Sequence, residues 1–422
     1  MNVSIIGTGY VGLSTAAGLA SKGHRVICVD KDPSKINAVK AGKSHFYEEG
    51  IEEALAMALS KGLLEATMDT AYAVKNSDIT FICVGTPSDD SGKINLDYIK
   101  DASAEVGIAM KGNQGHVVVV KSTVVPGTTE TVILPILQKY SKNFGLCMNP
   151  EFLREGKALE DFLHPDRIVV GELDRKSGDA LSKLYEGFGA PVIRTKLSAA
   201  EMIKYASNVF LASRISMINE LGNICKKLGI DVYDVANAIG RDKRIGPHFL
   251  EAGAGFGGSC FPKDVSALQH RAEEIGCETG MMEQILKTNA SQRRVLVELL
   301  KKKTSIKGKK IAVLGLAFKE DTDDIRESPA IDIIEMLKKE GASVYAYDPK
   351  AADNMKRIYP EVTYCSVADA LKDAEACLIL AKWKEFSSLT DRDFAAMKGR
   401  IIIEAKKVLD ASKVKDFEGI CW

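Results

Sequence analysis

The chain has 422 residues, enough for two or three domains of the usual size, and 45% of them are hydrophobic, so a sizeable core is expected. Its 57 basic and 57 acidic side chains cancel, which argues against nucleic acid as a partner and leaves any anionic ligand to be held by local charge. The sequence opens directly into an apolar run without a charged leader, contains no bilayer-length apolar stretch, and carries nine scattered cysteines with no Cys-x-x-Cys pair. That pattern fits neither a secreted disulfide scaffold nor a zinc site, and it points to a cytoplasmic protein with no resident metal and no membrane attachment.

In chain order, Val3–Ile6, Val26–Val29, Ile79–Val84, Val117–Lys121, Gly145–Met148 and Arg167–Val170 read as strands, with helical patterns such as Gly12–Lys22 and Asp97–Met110 between them. Short apolar strands alternating with helices predict a parallel sheet covered on both faces. From Ala199 to Ile230 a single long helix is predicted, with Ile203, Phe210, Met217, Leu221 and Ile224 on an apolar stripe. More helix follows to about Lys303. A second α/β unit begins at Lys310–Gly315 and continues through Ser343–Asp348, Ala376–Ala381 and Arg400–Glu404. The expected architecture is therefore α/β, with two Rossmann-like doubly wound domains (1–198 and 306–422) joined by a long central helix and a helical middle domain (199–305).

Gly7-Thr8-Gly9-Tyr10-Val11-Gly12 follows the first strand and opens a helix, and Asp30 ends the second strand. Glycines at these positions permit the turn, the approach of a pyrophosphate and close helix–strand packing, while the helix N-terminus presents N–H groups to the phosphates. A carboxylate at Asp30 suits ribose hydroxyls and repels a 2′-phosphate, so the predicted cofactor is NAD; Lys35 is a further candidate on the ribose side, set against a solvated lysine. Thr86 and Ser122 lie in loops after later strands, where ligands of such sheets bind.

Gly255-Phe256-Gly257-Gly258-Ser259-Cys260-Phe261-Pro262-Lys263-Asp264 is the most informative stretch. Ser259 reads as a helix N-cap and Pro262 suits a first turn. Cys260 would then sit at a helix start near Lys263, where positive potential favours a thiolate, with Asp264 on the same face. The bland alternative is a structural cysteine in a glycine turn. Lys204 and Asn208, four apart on the long helix, form an ammonium–carboxamide pair suited to an oxyanion. Asn149–Gly156 is expected to begin a short helix with Glu151 and Glu155 on one face, placed for general base work.

Together these residues resemble the UDP-glucose 6-dehydrogenase family, within the wider UDP-glucose/GDP-mannose dehydrogenases. The matching pieces are Gly7–Gly12 with Asp30, Val84–Pro87, Lys121–Thr123, Asn149–Gly156, His164–Arg167, Lys204–Asn208, Arg244–Gly246, Phe249–Asp264 and Gly315–Lys319 with Arg326–Ser328. The resemblance implies a four-electron oxidation of a nucleotide sugar with two NAD, through a thiohemiacetal and a thioester on Cys260. It implies that Lys204 and Asn208 stabilise oxyanions, that Asp264 helps activate water, and that Glu151 and Thr123 position it or act as base. Tyr10, Val11, Thr86, Ser122, Glu155, Lys263 and Arg326 would line the cofactor.

By the same resemblance Glu151, Phe152, Leu153, Glu155, Lys204, Asn208, Phe249, Leu250, Glu251, Ala252, Gly253 and Gly257 would surround the sugar. Phe318 and Lys319 would hold the nucleotide, and Arg244 would be contributed across a homodimer interface. UDP-glucose is the expected substrate, with UDP-N-acetylmannosamine, UDP-N-acetylglucosamine and GDP-mannose as alternatives. A two-electron hydroxyacid dehydrogenase, which shares a Lys-x-x-x-Asn pair, and a non-catalytic sensor are the rival classes. One departure stands out: Glu404-Ala405-Lys406-Lys407 occupies the place of the family's Asp-Gly-Arg. Lysine keeps the charge but not the planar fork, and Lys407 is the residue carried over to the nucleotide contact.

Overall fold

The computed structural model describes residues 1–89 and 91–422, which form two compact units, Met1–Ser207 and Asn208–Trp422. The first is built on β1 (Asn2–Ile6), β2 (Arg25–Val29), β3 (Leu64–Thr67), β4 (Ile79–Ile82), β5 (His116–Val120), β6 (Phe144–Met148), β7 (Ile168–Glu172) and β8 (Val192–Lys196), in the order β3-β2-β1-β4-β5-β6-β7-β8. All neighbours are parallel except β6 and β7. The central strands β4 and β5 read as apolar runs because both faces are covered, whereas the edge strand β8 is mostly exposed. Val26 and Cys28 enter one core while Ile27 and Val29 enter the other, and Val117 and Val119 divide from Val118 and Val120 in the same way. The strand order reverses between β1 and β4, so the loops after β1, β4 and β5 flank the crevice where such sheets take ligands.

The long helix spans Leu197–Leu228, starting and ending two residues earlier than its sequence pattern suggests. In the second unit, helices Val232–Ile239, Phe261–Glu274 and Gly280–Lys303 precede a six-stranded parallel sheet. Its strands are β9 (Lys310–Leu314), β10 (Ser343–Tyr347), β11 (Thr363–Tyr364), β12 (Ala376–Ile379), β13 (Ile401–Glu404) and β14 (Phe417–Gly419), in the order β11-β10-β9-β12-β13-β14. Ile218, Leu296 and Leu300 from the helices share one core with Ile311–Leu314 of β9.

One element differs from expectation. Asn149–Gly156 is not helical, and the helix there covers only Ala158–Leu163. The Glu151 carboxylate accepts the Leu153 N–H at 2.6 Å, and the Gly156 N–H donates to the Tyr10 hydroxyl and to Glu48. These side chains take up backbone donors in an irregular segment that ends in a turn, and Glu151 and Glu155 share no helical face.

Candidate active site

The loop after β1 has the shape its glycines predict. A Cβ on Gly12 would lie 1.9 Å from the Gly7 carbonyl oxygen, so only glycine lets helix Tyr10–Ser21 pack this close to the turn. A Cβ on Gly9 would meet nothing within 4 Å, and the helix that Gly9 precedes has no side-chain cap. Open space in front of uncapped N–H groups is what a pyrophosphate needs. Asp30 is fixed beside it. Its Oδ2 accepts from the Thr8 N–H and hydroxyl, both at 2.8 Å, and its Oδ1 from the Asp32 N–H at 3.0 Å. Burial pushes its pKa up, but these donors and Lys35 outweigh that and hold the carboxyl below its ordinary range. Lys35 is turned toward Asp30, 3.7 Å away. The residues fit NAD, with the ribose end at Asp30. Asp30→Ala should raise the KM for NAD roughly ten- to a hundredfold, the effect of losing hydrogen bonds to a charged acceptor. It should also narrow the preference over NADP; initial rates with both cofactors measure each change.

The next two strand ends are stitched together. The Ser122 hydroxyl donates to the Val84 carbonyl at 2.7 Å and the Thr86 hydroxyl to that of Thr123 at 2.8 Å. Beyond β6, Asn149 donates to the Val169 carbonyl and accepts from Lys121 at 2.9 Å and from the Tyr185 hydroxyl at 2.6 Å. Glu151 and Lys204 form an ion pair at 2.8 Å, with side chains only 5% and 3% exposed. Phe152 lies beside it, with the Arg167 guanidinium 4.0 Å from the ring centre and the Lys204 ammonium 5.7 Å away. Burial alone would raise the Glu151 pKa; Lys204, the Leu153 N–H and Lys121 together hold it below the ordinary carboxylate value, so this residue is an anion.

Burial drives the Lys121 ammonium the other way, down to about 8 from 10.5. Across that window the unfolded chain keeps a proton the folded chain has released. Stability should therefore rise with pH by on the order of 3 kcal/mol from this group. Lys121→Met, an apolar replacement between Phe81 and Phe162, should lack that rise in urea denaturation followed from pH 8 to 10.5.

In the second unit, Cys260 itself is the N-cap of helix Phe261–Glu274, one residue later than the Ser259 cap the sequence suggests. The loop ahead of it is pinned on two sides. Asn289 accepts from the Phe256 N–H at 2.6 Å and donates to the Phe256 carbonyl at 3.0 Å, while the Gly258 N–H donates to the Arg326 carbonyl at 2.9 Å. A Cβ on Gly257 would lie 2.3 Å from the Glu327 carbonyl oxygen and 3.0 Å from Phe318 Cβ, so no larger residue passes there. Asp264, fully buried one turn into the helix, accepts from Asn208 Nδ2 at 2.6 Å and Lys263 Nζ at 2.5 Å.

Phe249 has a left-handed backbone (φ 59°), and its ring meets Phe261 edge-on at 6.1 Å. Leu250 and Ala252 are buried. Glu251 reaches Lys382 at 3.5 Å. Lys319 lies 5.9 Å from the Phe318 ring centre, and Arg326 pairs with Asp324. Arg244 pairs with Asp242 and is 89% exposed.

At the departure from the family pattern, Glu404 accepts the Val408 and Leu409 N–H groups at 2.9 Å each and closes the turn. Lys407 pairs with Asp231, whereas the Lys406 side chain lies against Gly253. The sheet of this unit also carries an acid after its second strand, Asp348, but it is buried. It accepts from the Leu316 and Ala317 N–H groups and from the Trp383 indole. Sequence reasoning missed Glu48, Tyr185 and Asn289, and the partners of Asn149; each acts through pairings between residues far apart in the chain.

Family models match the chain in three successive segments: the NAD binding domain of the UDP-glucose/GDP-mannose dehydrogenase family over residues 1–189, its central domain over 198–291 and its UDP binding domain over 312–411. The UDP-glucose 6-dehydrogenase of Haloferax volcanii is 42% identical, with both chains covered in full. The GDP-mannose 6-dehydrogenase of Pseudomonas syringae pv. tomato is 36% identical over the full length of both. The structure of a UDP-glucose dehydrogenase from Pyrobaculum islandicum matches with a TM-score of 0.95 at 41% identity, covering 100% of this chain and 97% of that one. A dinucleotide cradle within a matched NAD binding domain, in a chain of this family, defines an NAD-dependent dehydrogenase. The chain belongs to the UDP-glucose/GDP-mannose dehydrogenase family.

Proposed function

We propose that the chain oxidises UDP-glucose at C6 to UDP-glucuronate. The observation that carries this reading is Cys260 at the start of a helix behind a pinned glycine loop, with Asp264 one turn on between Asn208 and Lys263. Bound NAD supplies the hydride acceptor for each of the two oxidations. After the first, the Cys260 sulfur bonds to C6 of the aldehyde and gives a thiohemiacetal; after the second, a thioester remains. Water attacks that carbonyl, the C–S bond breaks, and the thiolate and the carboxylate separate.

Lys204 and Asn208 offer N–H donors to the oxygen on C6 as its charge develops. Asp264 draws a proton from the attacking water, and Glu151, an anion at neutral pH, serves with Thr123 to orient it. The loop Phe249–Gly253 with Gly257 wraps the sugar, and Phe318 and Lys319 take the nucleotide, with a basic contact from the Lys406–Lys407 turn. The choice of sugar rests on the relatives of that specificity at 41–42% identity. The test is the NADH released per mole of UDP-glucose, beside UDP-N-acetylmannosamine, UDP-N-acetylglucosamine and GDP-mannose. Two NADH per UDP-glucose and an acid product are expected; turnover confined to another sugar overturns the assignment.

Three organisational readings belong with this one. The segment 199–305 acts as a central domain between nucleotide-binding domains 1–198 and 306–422, in keeping with the central-domain match. The protein is a homodimer through the long helix, which leaves Phe210, Met217, Ile224 and Leu228 between 52% and 72% exposed, at intervals of seven and four residues, with Arg244 reaching the partner's site. The nine cysteines, none in a disulfide among the described residues, suit a cytoplasmic enzyme; no helix described is long and apolar enough to cross a membrane.

A further inference from the structure

We propose that Arg214 and Asn219, both on the long helix, are positioning residues that fix the substrate loop 245–253 at its two ends. The claim rests on the reading that this loop wraps the nucleotide sugar. The segment leading into it is exposed: Arg244 points into solvent and Ile245 is 41% exposed. Little apolar burial holds such a segment, which by itself would fluctuate. Arg214 supplies the missing restraint. Its Nη1 donates to the Ile245 carbonyl at 2.7 Å, its Nη2 to that of Gly246 at 2.7 Å and its Nε to that of His248 at 2.8 Å.

Three nitrogens of one rigid planar group are thus committed to three carbonyls, an arrangement that orients the peptide planes as well as the chain. Asn219, five residues on and fully buried, accepts the Gly253 N–H at 2.7 Å. Between the two anchors stands Phe249 in its left-handed conformation, which a non-glycine residue keeps only when its surroundings over-determine it. One helix therefore sets both ends of the loop, and Phe249–Ala252 arrives already shaped for its ligand.

A preorganised loop lowers the ordering penalty of binding without altering the reacting groups. Losing the anchors should therefore act on nucleotide-sugar affinity, with NAD affinity and kcat largely spared. Lysine cannot replace Arg214, because one ammonium on a flexible stem cannot serve three fixed carbonyls.

The test compares R214A, R214K, R214M and N219A with the wild-type chain, using UDP-glucose without NAD in calorimetry, UDP alone as the control that lacks the sugar, and UDP-glucose with NAD in kinetics. We expect the Kd and the KM for UDP-glucose to rise by about tenfold or more in each Arg214 variant, with kcat, the KM for NAD and the Kd for UDP within about threefold. Added N-ethylguanidinium should partly restore UDP-glucose affinity to R214A. Unchanged UDP-glucose affinity in R214M and N219A, or a fall in kcat at constant KM, overturns the proposal. Should R214M fail to fold, R214K, which keeps the charge, decides by the same readouts. A wild-type chain that binds UDP-glucose but leaves it unoxidised overturns the substrate reading alone; one that binds neither UDP-glucose nor UDP overturns both.

Discussion

Replacing Cys260 by serine is expected to abolish formation of the acid, with a fall in its rate on the order of a thousandfold or more, the scale on which loss of a covalent nucleophile acts. The position is built for a polarisable nucleophile: a helix N-cap without a side-chain cap bond, in a loop held by Asn289 and Arg326. A hydroxyl there occupies nearly the same volume, so the fold should survive. It is a poorer nucleophile toward an aldehyde than a thiolate, and its ester is a poorer acyl donor to water. NADH released per sugar should drop from two to one at most, and mass spectrometry of the products should find no uronate. A serine variant that still delivers two NADH and the acid at the wild-type rate would remove the covalent scheme and leave direct hydration of the aldehyde.

The second large effect is expected from Lys204→Met. Glu151 is buried, and Lys204 is its charged partner at 2.8 Å. Removing one member of a buried ion pair leaves the other uncompensated, a destabilisation of about 3–5 kcal/mol. Loss of the oxyanion donor proposed at Lys204 should lower kcat by on the order of a hundred- to a thousandfold.

The pH dependence separates the two contributions. In the wild-type protein the Glu151 pKa lies below its ordinary value of 4.5, so the pair's stabilisation is fully present above that value and is lost as pH falls through the depressed pKa. In the variant, burial is no longer offset and raises the carboxyl instead. The variant should therefore regain stability relative to wild type as the solution is acidified from pH 7 to about 5. Urea denaturation at the two values measures this; an equal deficit at both would mean that Glu151 is not the residue left exposed to its own burial.

Much of this molecule is legible in its sequence where the determinants are local. Alternating apolar strands and helices give the two sheets, and Gly7–Gly12 followed by Asp30 gives the cofactor cradle, because strand period, turn and helix start are written within thirty residues. The Gly255–Asp264 stretch marks a cysteine at a helix start for the same reason. The segment Asn149–Gly156 was not legible. Its helical pattern is overridden by Glu48 and Tyr10, which take the Gly156 N–H from more than a hundred residues away in the chain. The cap falls at Cys260 rather than Ser259, and the bond from the Gly258 N–H to the Arg326 carbonyl just ahead of it has no signature in the local sequence. The pairing of Asn208 with Asp264, and of Asn289 with Phe256, is likewise a product of packing that spacing along the chain does not encode.

The acid after the second strand of each sheet has been put to opposite uses. Asp30 keeps an edge at the surface of its crevice, whereas Asp348 is enclosed and saturated by four backbone amides and an indole. The second sheet has thereby lost the group that distinguishes a ribose diol from a phosphorylated one. It retains the crevice of a dinucleotide fold without its grammar. Two copies of one architecture in a single chain thus differ in the group that could meet a ribose diol, because the Asp30 carboxylate keeps an outward edge and that of Asp348 does not.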